Sequence, residues 1–102
     1  MYIGIDLGGT KTESIILDEN GKEVERLRKE TPKNYNGTLD TLCGLVKYFE
    51  EKYKTKCTVG VGTPGALSKE TECIKGGNST WLNGRPLKKD IELRLNRKIF
   101  FE

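Results

Sequence analysis

Histidine is absent from the 102-residue sequence, and so are long apolar runs. Without histidine, the chain cannot build a Ser-His-Asp or Cys-His catalytic site from its own residues. No segment approaches the roughly 20 consecutive apolar residues that a membrane-spanning helix needs. Residues 1–6 lack the basic start and the cleavage site of a signal peptide. We therefore expect a cytoplasmic protein that has no membrane as a partner.

Cysteine is scarce as well, with only Cys43, Cys57 and Cys73. Their odd number and wide spacing favour reduced, mostly buried thiols over a zinc cluster. The net charge is only +3, and the basic and acidic residues are interleaved along the chain. No clustered basic face is visible, so we expect no nucleic acid as a partner. The hydrophobic fraction of 34% is enough for one domain with one core.

The hydrophobic pattern predicts three strands followed by alternating helices and strands. Asn20-Gly21 favours a type I′ turn between the second and third strands, and the charged third strand is expected near a sheet edge. The predicted elements are, in chain order, strands at 2–7, 13–18 and 22–29, a helix from a cap at Asn34 or Asn36 to about Tyr53, a strand at 57–62, a loop or small hairpin at 68–77, a helix that starts near Pro86 and ends before Asn96, and a strand at 98–101.

This order of elements predicts an α/β fold with a mixed sheet. The three hairpin-linked strands form the antiparallel half of the sheet, and a helical crossover then returns the chain to pair in parallel with the first strand. Gly44 lies within the first helix, where glycine costs about 1 kcal/mol relative to alanine, and we interpret it as allowing close approach to the sheet. The apolar residues of that helix recur at steps of three and four and predict a stripe against the sheet, namely Leu39, Leu42, Val46, Phe49 and Tyr53.

The run Asp6-Leu7-Gly8-Gly9-Thr10-Lys11 follows the first predicted strand. Its glycines favour a turn whose amide hydrogens point at one spot, which makes an anion site. The hydroxyl of Thr10 and the ammonium of Lys11 suit phosphate oxygens, and Asp6 suits Mg²⁺. We predict that the carboxylate of Asp6 faces open space beside the turn. An ordinary hairpin turn is the alternative at this point.

Two further runs carry candidate ligand groups. Thr63-Pro64-Gly65-Ala66 follows the carboxyl end of a predicted strand, where ligands of α/β sheets tend to bind. Residues 78–84, Asn-Ser-Thr-Trp-Leu-Asn-Gly, place amides and hydroxyls around one aromatic ring, as a polyol ligand requires. A plain turn and a solvated loop held by a buried Trp81 are the respective alternatives.

Together, these runs resemble the N-terminal domain of the ROK-family sugar kinases. The motifs are Gly-Ile-Asp-Leu-Gly-Gly-Thr-Lys at 4–11, Gly-Thr-Pro-Gly-Ala-Leu at 62–67 and Asn-Ser-Thr-Trp-Leu-Asn-Gly-Arg-Pro-Leu at 78–87. The last run looks most like the fructokinase (manno/fructokinase) branch. The resemblance implies an actin/hexokinase-like ATPase (ribonuclease H-like) domain over residues 1–102. It also implies ATP and Mg²⁺ as cofactors, a hexose substrate for which fructose is the first expectation, and a homo-oligomer as the intact protein.

The resemblance also assigns roles to residues. Gly65 and Asn78 would lie beside the hexose, and Asp6 would hold Mg²⁺. The residues implied to bind the cofactor are Gly4, Ile5, Asp6, Leu7, Gly8, Gly9, Thr10 and Lys11.

The family's Asn-Asp pair, whose aspartate is the catalytic base, would follow Glu102. Its zinc motif and adenosine-binding part would also lie beyond that residue. We therefore expect a truncated N-terminal half that is inactive on its own. The alternatives are a ROK-like regulator, for which residues 1–3 leave no room for a DNA-binding helix-turn-helix, and a free-standing nucleotide- or sugar-binding module.

Overall fold

A computed structural model describes residues 1–62, 66–67, 74–75 and 80–101. Its main sheet has five strands, and a separate two-stranded hairpin lies within the later part of the chain. The elements are β1 (Tyr2–Leu7), β2 (Lys11–Leu17), β3 (Glu23–Glu30), α1 (Tyr35–Tyr53), β4 (Thr58–Gly62), β5 (Ala66–Leu67), β6 (Ile74–Lys75), a short 3-10 helix (Thr80–Leu82), α2 (Leu87–Leu95) and β7 (Phe100–Phe101).

The main sheet is mixed, as the sequence predicts. Its strand order is β3-β2-β1-β4-β7, so β3 lies at one edge. β1 pairs with β2 in the antiparallel sense and with β4 in the parallel sense. β5 pairs with β6 in the antiparallel sense, and residues 68–73 and 76–77 of the loop or small hairpin expected at 68–77 lie outside the described residues.

The turn between β2 and β3 differs from the type I′ prediction. Gly21 has a φ of +80°, but Asn20 is not among the residues with positive φ, and a type I′ turn requires positive φ at both. The carboxylate of Asp18 accepts the amide N–H groups of Asn20 and Lys22 at 2.9 and 3.0 Å. These bonds favour a type I turn followed by a left-handed glycine, so the type I′ prediction is wrong.

Helix α1 begins after Asn34, whose side-chain oxygen accepts the N–H of Gly37 at 2.6 Å. The predicted stripe packs on the sheet, with Tyr53 at its partly buried end. Gly44, however, lies on the exposed face of α1, and an added Cβ would meet no atom within 4 Å. The interpretation that Gly44 allows close approach to the sheet is therefore wrong.

A half-buried ion pair joins the end of α1 to the segment after α2. The guanidinium of Arg97 donates to the carboxylate of Glu50 at 2.9 Å and to the carbonyl of Cys57 at 3.0 Å. The hydrogen bonds from Arg97 hold the pKa of Glu50 below its usual value. The preceding residue, Asn96, ends α2 in the left-handed conformation, as predicted.

The two faces of the main sheet differ in what covers them. Ile3, Ile5 and Leu7 of β1 point into the core between the sheet and the helices. On the opposite face, the side chain of Tyr2 lies over Gly60, where any side chain would overlap its ring. The side chain of Tyr2 therefore covers this face of the sheet at Gly60.

Two cysteines are free thiols buried in the core, Cys43 and Cys57. Burial is the main cause that raises the pKa of both thiols. Cys73 lies outside the described residues. Within the described ranges, neither helix is long and apolar enough to cross a bilayer.

Candidate functional site

The site is built around the turn that joins β1 to β2. The N–H of Gly8 donates to the carbonyl of Lys11 at 3.0 Å and closes this turn. A Cβ on Gly8 would come within 2.6 Å of the same carbonyl oxygen, a distance that real Cβ atoms do not show. Glycine is therefore required at position 8 by the close approach of two backbone segments.

The turn presents hydrogen-bond donors to the outside. Among the described residues, the amide N–H groups of Gly9 and Thr10 have no acceptor. The ammonium of Lys11 pairs with Glu30 at 3.4 Å, and both side chains are exposed. Such surface pairs contribute only about 0–1 kcal/mol, so Lys11 is free to turn toward an anion. Successive backbone amides beside a cation form a site for phosphate oxygens.

Asp6 lies at the end of β1 beside this turn. Its carboxylate is exposed and has no hydrogen-bond or ion-pair partner among the described residues, which confirms that it faces open space. It borders a groove of about 350 Å³ whose wall includes Gly62 of β4. Asp6 pairs across β1 and β4 with that glycine, which leaves the space beside the carboxylate open.

This arrangement fits Mg²⁺ in its usual protein setting. No cluster of three or more acidic, histidine or cysteine side chains forms a metal site in the part of the chain that the structure describes. Mg²⁺ commonly takes one or two carboxylates and completes its shell with water and substrate phosphate oxygens. The exposed carboxylate of Asp6, beside a turn whose amides suit phosphate oxygens, meets that requirement.

The remaining residues that the resemblance assigns to the cofactor offer different groups to a ligand. Ile5 and Leu7 are buried in the core, so only their backbone is available to a ligand. Gly4 is part of the wall of the groove beside Asp6. The proposed sugar-binding residues Gly65 and Asn78 lie outside the described residues.

The sequence reasoning missed a charged cluster next to Asp6. Glu13 lies directly across β1 and β2 from Asp6 and accepts hydrogen bonds from Arg28, at 2.6 Å, and from Arg26. The bonds from Arg28 and then Arg26 lower the pKa of Glu13. Glu13 is thereby neutralised by arginines. The signal for it is the pairing of the single acidic residue on β2 with arginines on β3 across one hairpin.

A second polar cluster surrounds the start of α1. The indole N–H of Trp81 donates to the hydroxyl of Thr38 at 3.1 Å. The hydroxyl of Tyr35 donates to the carboxylate of Asp90, and the guanidinium of Arg85 lies 3.8 Å from the centre of the Tyr35 ring. These contacts fix residues 81–90 against α1. They also support the interpretation that Trp81 holds this part of the chain, although its side chain is partly buried rather than buried.

Comparison with known proteins gives consistent results. A protein-family model described as the ROK family matches residues 2–102. N-acetyl-D-glucosamine kinase of Histophilus somni (strain 129Pt) is 36% identical over 100 residues, which cover 97% of this chain and 33% of that protein. The chain thus spans about a third of the length of the curated relatives that it matches.

Solved structures agree with the computed fold. The ROK family glucokinase from Streptomyces griseus, in complex with glucose and AMPPNP, superposes with a TM-score of 0.83 at 26% identity, covering 99% of this chain and 32% of that one. The ROK hexokinase from Thermus thermophilus superposes with a TM-score of 0.81 at 24% identity, covering 99% of this chain and 34% of that one. At this lower identity, the similarity to the hexokinase shows the fold alone. The mixed sheet with its helices is thus the actin-like ATPase fold of the ROK sugar kinases. Since the family match runs from β1 through the turn at residues 8–11 to β7, the chain belongs to the ROK family.

Proposed function

We propose that residues 1–102 form the phosphate-binding part of an ATP-dependent sugar kinase. The observation that carries this proposal is the turn between β1 and β2. It places an ammonium group, and two amides that have no acceptor among the described residues, next to the exposed carboxylate of Asp6. The triphosphate of ATP and Mg²⁺ are the ligands that such a set of groups complements.

Each group of the turn has a separate task in phosphoryl transfer. The amides of Gly9 and Thr10 donate to phosphate oxygens, and Lys11 neutralises part of their charge. Asp6 holds Mg²⁺, which, when bound, supplies further neutralisation of the phosphate charge. Phosphoryl transfer depends mostly on positioning and charge neutralisation, and this turn at the end of the central strand of the sheet supplies both.

Residues 1–102 alone are proposed to be inactive. The general base of the resembled family, worth roughly 10²–10⁴ in rate, is expected outside this range. The chain spans about a third of its curated relatives, so most of a kinase of their length lies outside it as well. Alignment of the reactants by the rest of such a protein contributes roughly 7–11 kcal/mol, and the isolated chain lacks it.

The proposed sugar is a hexose, with two candidates. The run at residues 78–84 favours fructose, because it resembles the fructokinase branch, with Gly65 and Asn78 beside the sugar. The relatives at 33–36% identity are N-acetyl-D-glucosamine kinases, and this observation favours N-acetylglucosamine as the second candidate. Both candidates share the same reaction, transfer of the γ-phosphoryl group of ATP to a sugar hydroxyl.

A coupled assay for ADP production tests the proposal. It uses a protein that carries this chain within the full length of its relatives, with fructose, N-acetylglucosamine, glucose and mannose offered separately. We expect Mg²⁺- and ATP-dependent turnover with at least one of these sugars and none by residues 1–102 alone. No turnover with any sugar would refute the kinase and favour a regulator or a binding module. If residues 1–102 alone turned over a sugar as fast as the protein of full length, the proposal that they hold only part of the active site would be refuted.

A further inference from the structure

Two of the four polar side chains that are buried among the described residues lie behind the turn between β1 and β2. Among the described residues, the buried polar side chains are Thr12, Ser14, Thr31 and Thr38. A buried hydroxyl is costly unless it is hydrogen-bonded, so each of these groups needs a partner. Thr12 and Thr31 find theirs at the turn between β1 and β2.

Thr31 holds two carbonyl groups of that turn. Its hydroxyl donates to the carbonyl of Gly8 at 2.8 Å, and its backbone N–H donates to the carbonyl of Thr10, also at 2.8 Å. The hydroxyl of Thr12 lies 2.8 Å from that of Thr31. Because Thr31 has one hydroxyl hydrogen and gives it to Gly8, Thr12 is the donor in this pair.

Thr31 is itself held in place by the start of α1, through its neighbour Pro32. The next residue, Pro32, has a restricted φ, and its carbonyl lies 3.0 Å from the hydroxyl of Thr38 in the first turn of α1. The hydroxyl of Thr38 also accepts the indole N–H of Trp81. The bonds from Thr31 therefore attach the turn to the start of a well-packed helix.

We propose that Thr31 is a positioning residue that holds the Gly8–Lys11 turn in the shape that binds the phosphates of ATP. The ligand in this inference rests on the proposed function, whereas the hydrogen bonds by which Thr31 holds the turn do not depend on that function. The bonds to Gly8 and Thr10 draw the carbonyls of the turn toward the protein. The amides of Gly9 and Thr10 then point outward, where a phosphate group reaches them.

The substitution Thr31→Val tests this role, because it replaces the hydroxyl with a methyl group of similar size. It leaves the carbonyl of Gly8 and the hydroxyl of Thr12 without their partner. In the protein of full length, we expect hydrogen exchange of the Gly8 amide to accelerate about tenfold or more, since an unmet buried group costs about 1–3 kcal/mol. The KM for MgATP should rise about tenfold, while the KM for the sugar changes less than twofold.

Two further variants separate positioning from general stability. Thr31→Ser keeps the hydroxyl and should restore both the exchange rate and the KM for MgATP to within about twofold of the original. Ser14→Ala is the matched control, because Ser14 is a buried hydroxyl on β2 that donates to the carbonyl of Leu27 rather than to the turn. It should leave exchange at Gly8 unchanged.

A measurement on the unsubstituted protein covers the case in which Thr31→Val fails to fold. The hydroxyl proton of Thr31 should be protected from exchange and visible by NMR, with a nuclear Overhauser effect to the Gly8–Gly9 segment. A hydroxyl proton that exchanges freely would overturn the proposal, as would a Thr31→Ser variant as impaired as Thr31→Val. Absence of kinase activity in the unsubstituted protein would refute the proposed function, and the exchange data would still decide the role of Thr31.

Discussion

Replacing Gly44 with alanine should make the protein more stable. Gly44 lies on the exposed face of α1, and an added Cβ meets no atom within 4 Å. Glycine inside a helix costs about 1 kcal/mol relative to alanine, chiefly because it loses more backbone freedom on folding. With no clash to offset this gain, Gly44→Ala should raise the free energy of unfolding by about 0.5–1 kcal/mol. Urea denaturation followed by circular dichroism measures the change.

Gly21→Ala is the matched control for that substitution. Position 21 also has open space around it, but its φ of +80° is a conformation that disfavours a Cβ. The same change of side chain should therefore cost about 1–2 kcal/mol there. If Gly44→Ala destabilised the protein by more than about 0.5 kcal/mol, another part of the protein would have to pack against that face of α1. The reasoning from exposure would then be refuted.

Three further predictions concern the core, the ion pair and the turn. Leu42→Ala should cost about 2–5 kcal/mol in the same urea assay, since Leu42 is fully buried, and a loss below about 0.5 kcal/mol would place its face of α1 in solvent. The pKa of Glu50 lies below its usual 4.5 in the folded state, so the pair with Arg97 stabilises fully above about pH 4.5 and loses its contribution as the pH falls through the folded value. Arg97→Met should therefore lower the free energy of unfolding by about 2–3 kcal/mol at pH 7, and it should make that free energy fall less steeply below pH 4.5. If the variant lost stability below pH 4.5 as steeply as the original protein, this prediction would be contradicted. Gly8→Ala should open the turn and weaken MgATP binding measured by calorimetry, because its Cβ would overlap the carbonyl of Lys11, and unchanged binding would show that the turn tolerates a side chain.

The sequence predicted the order and pairing of the elements because the strong local signals agree with the fold. The apolar stripe of α1, its Asn34 cap and the left-handed Asn96 each depend on the chain within a few residues. Gly44 was misinterpreted because the spacing of apolar side chains shows which face of a helix is buried, and glycine has no side chain that assigns it to either face. The Asn20-Gly21 turn was misassigned because Asp18, which lies outside the two-residue motif, accepts the amide N–H groups of Asn20 and Lys22 with its side chain.

The candidate site was predicted in part for a similar reason. The residues of the turn are contiguous, so their spacing indicates an anion site, and the open position of Asp6 was predicted correctly. The roles of Thr31 and of the arginines beside Glu13 depend on pairing between strands that are distant along the chain. No local pattern in the sequence indicates which carbonyl a given threonine reaches.

The central claim is that the turn from Asp6 to Lys11 binds the phosphates and Mg²⁺ in a sugar kinase. The most direct test is the turnover of Asp6→Ala in a protein of the full length of its relatives, with the preferred sugar at saturation and the MgATP concentration varied. Asp40→Ala is the control, since Asp40 is an exposed acid on α1 that pairs only with Arg94 among the described residues. We predict that Asp6→Ala lowers kcat/KM for MgATP at least about 100-fold with an unchanged circular dichroism spectrum, while Asp40→Ala stays within twofold. Near-normal turnover by Asp6→Ala would contradict the account.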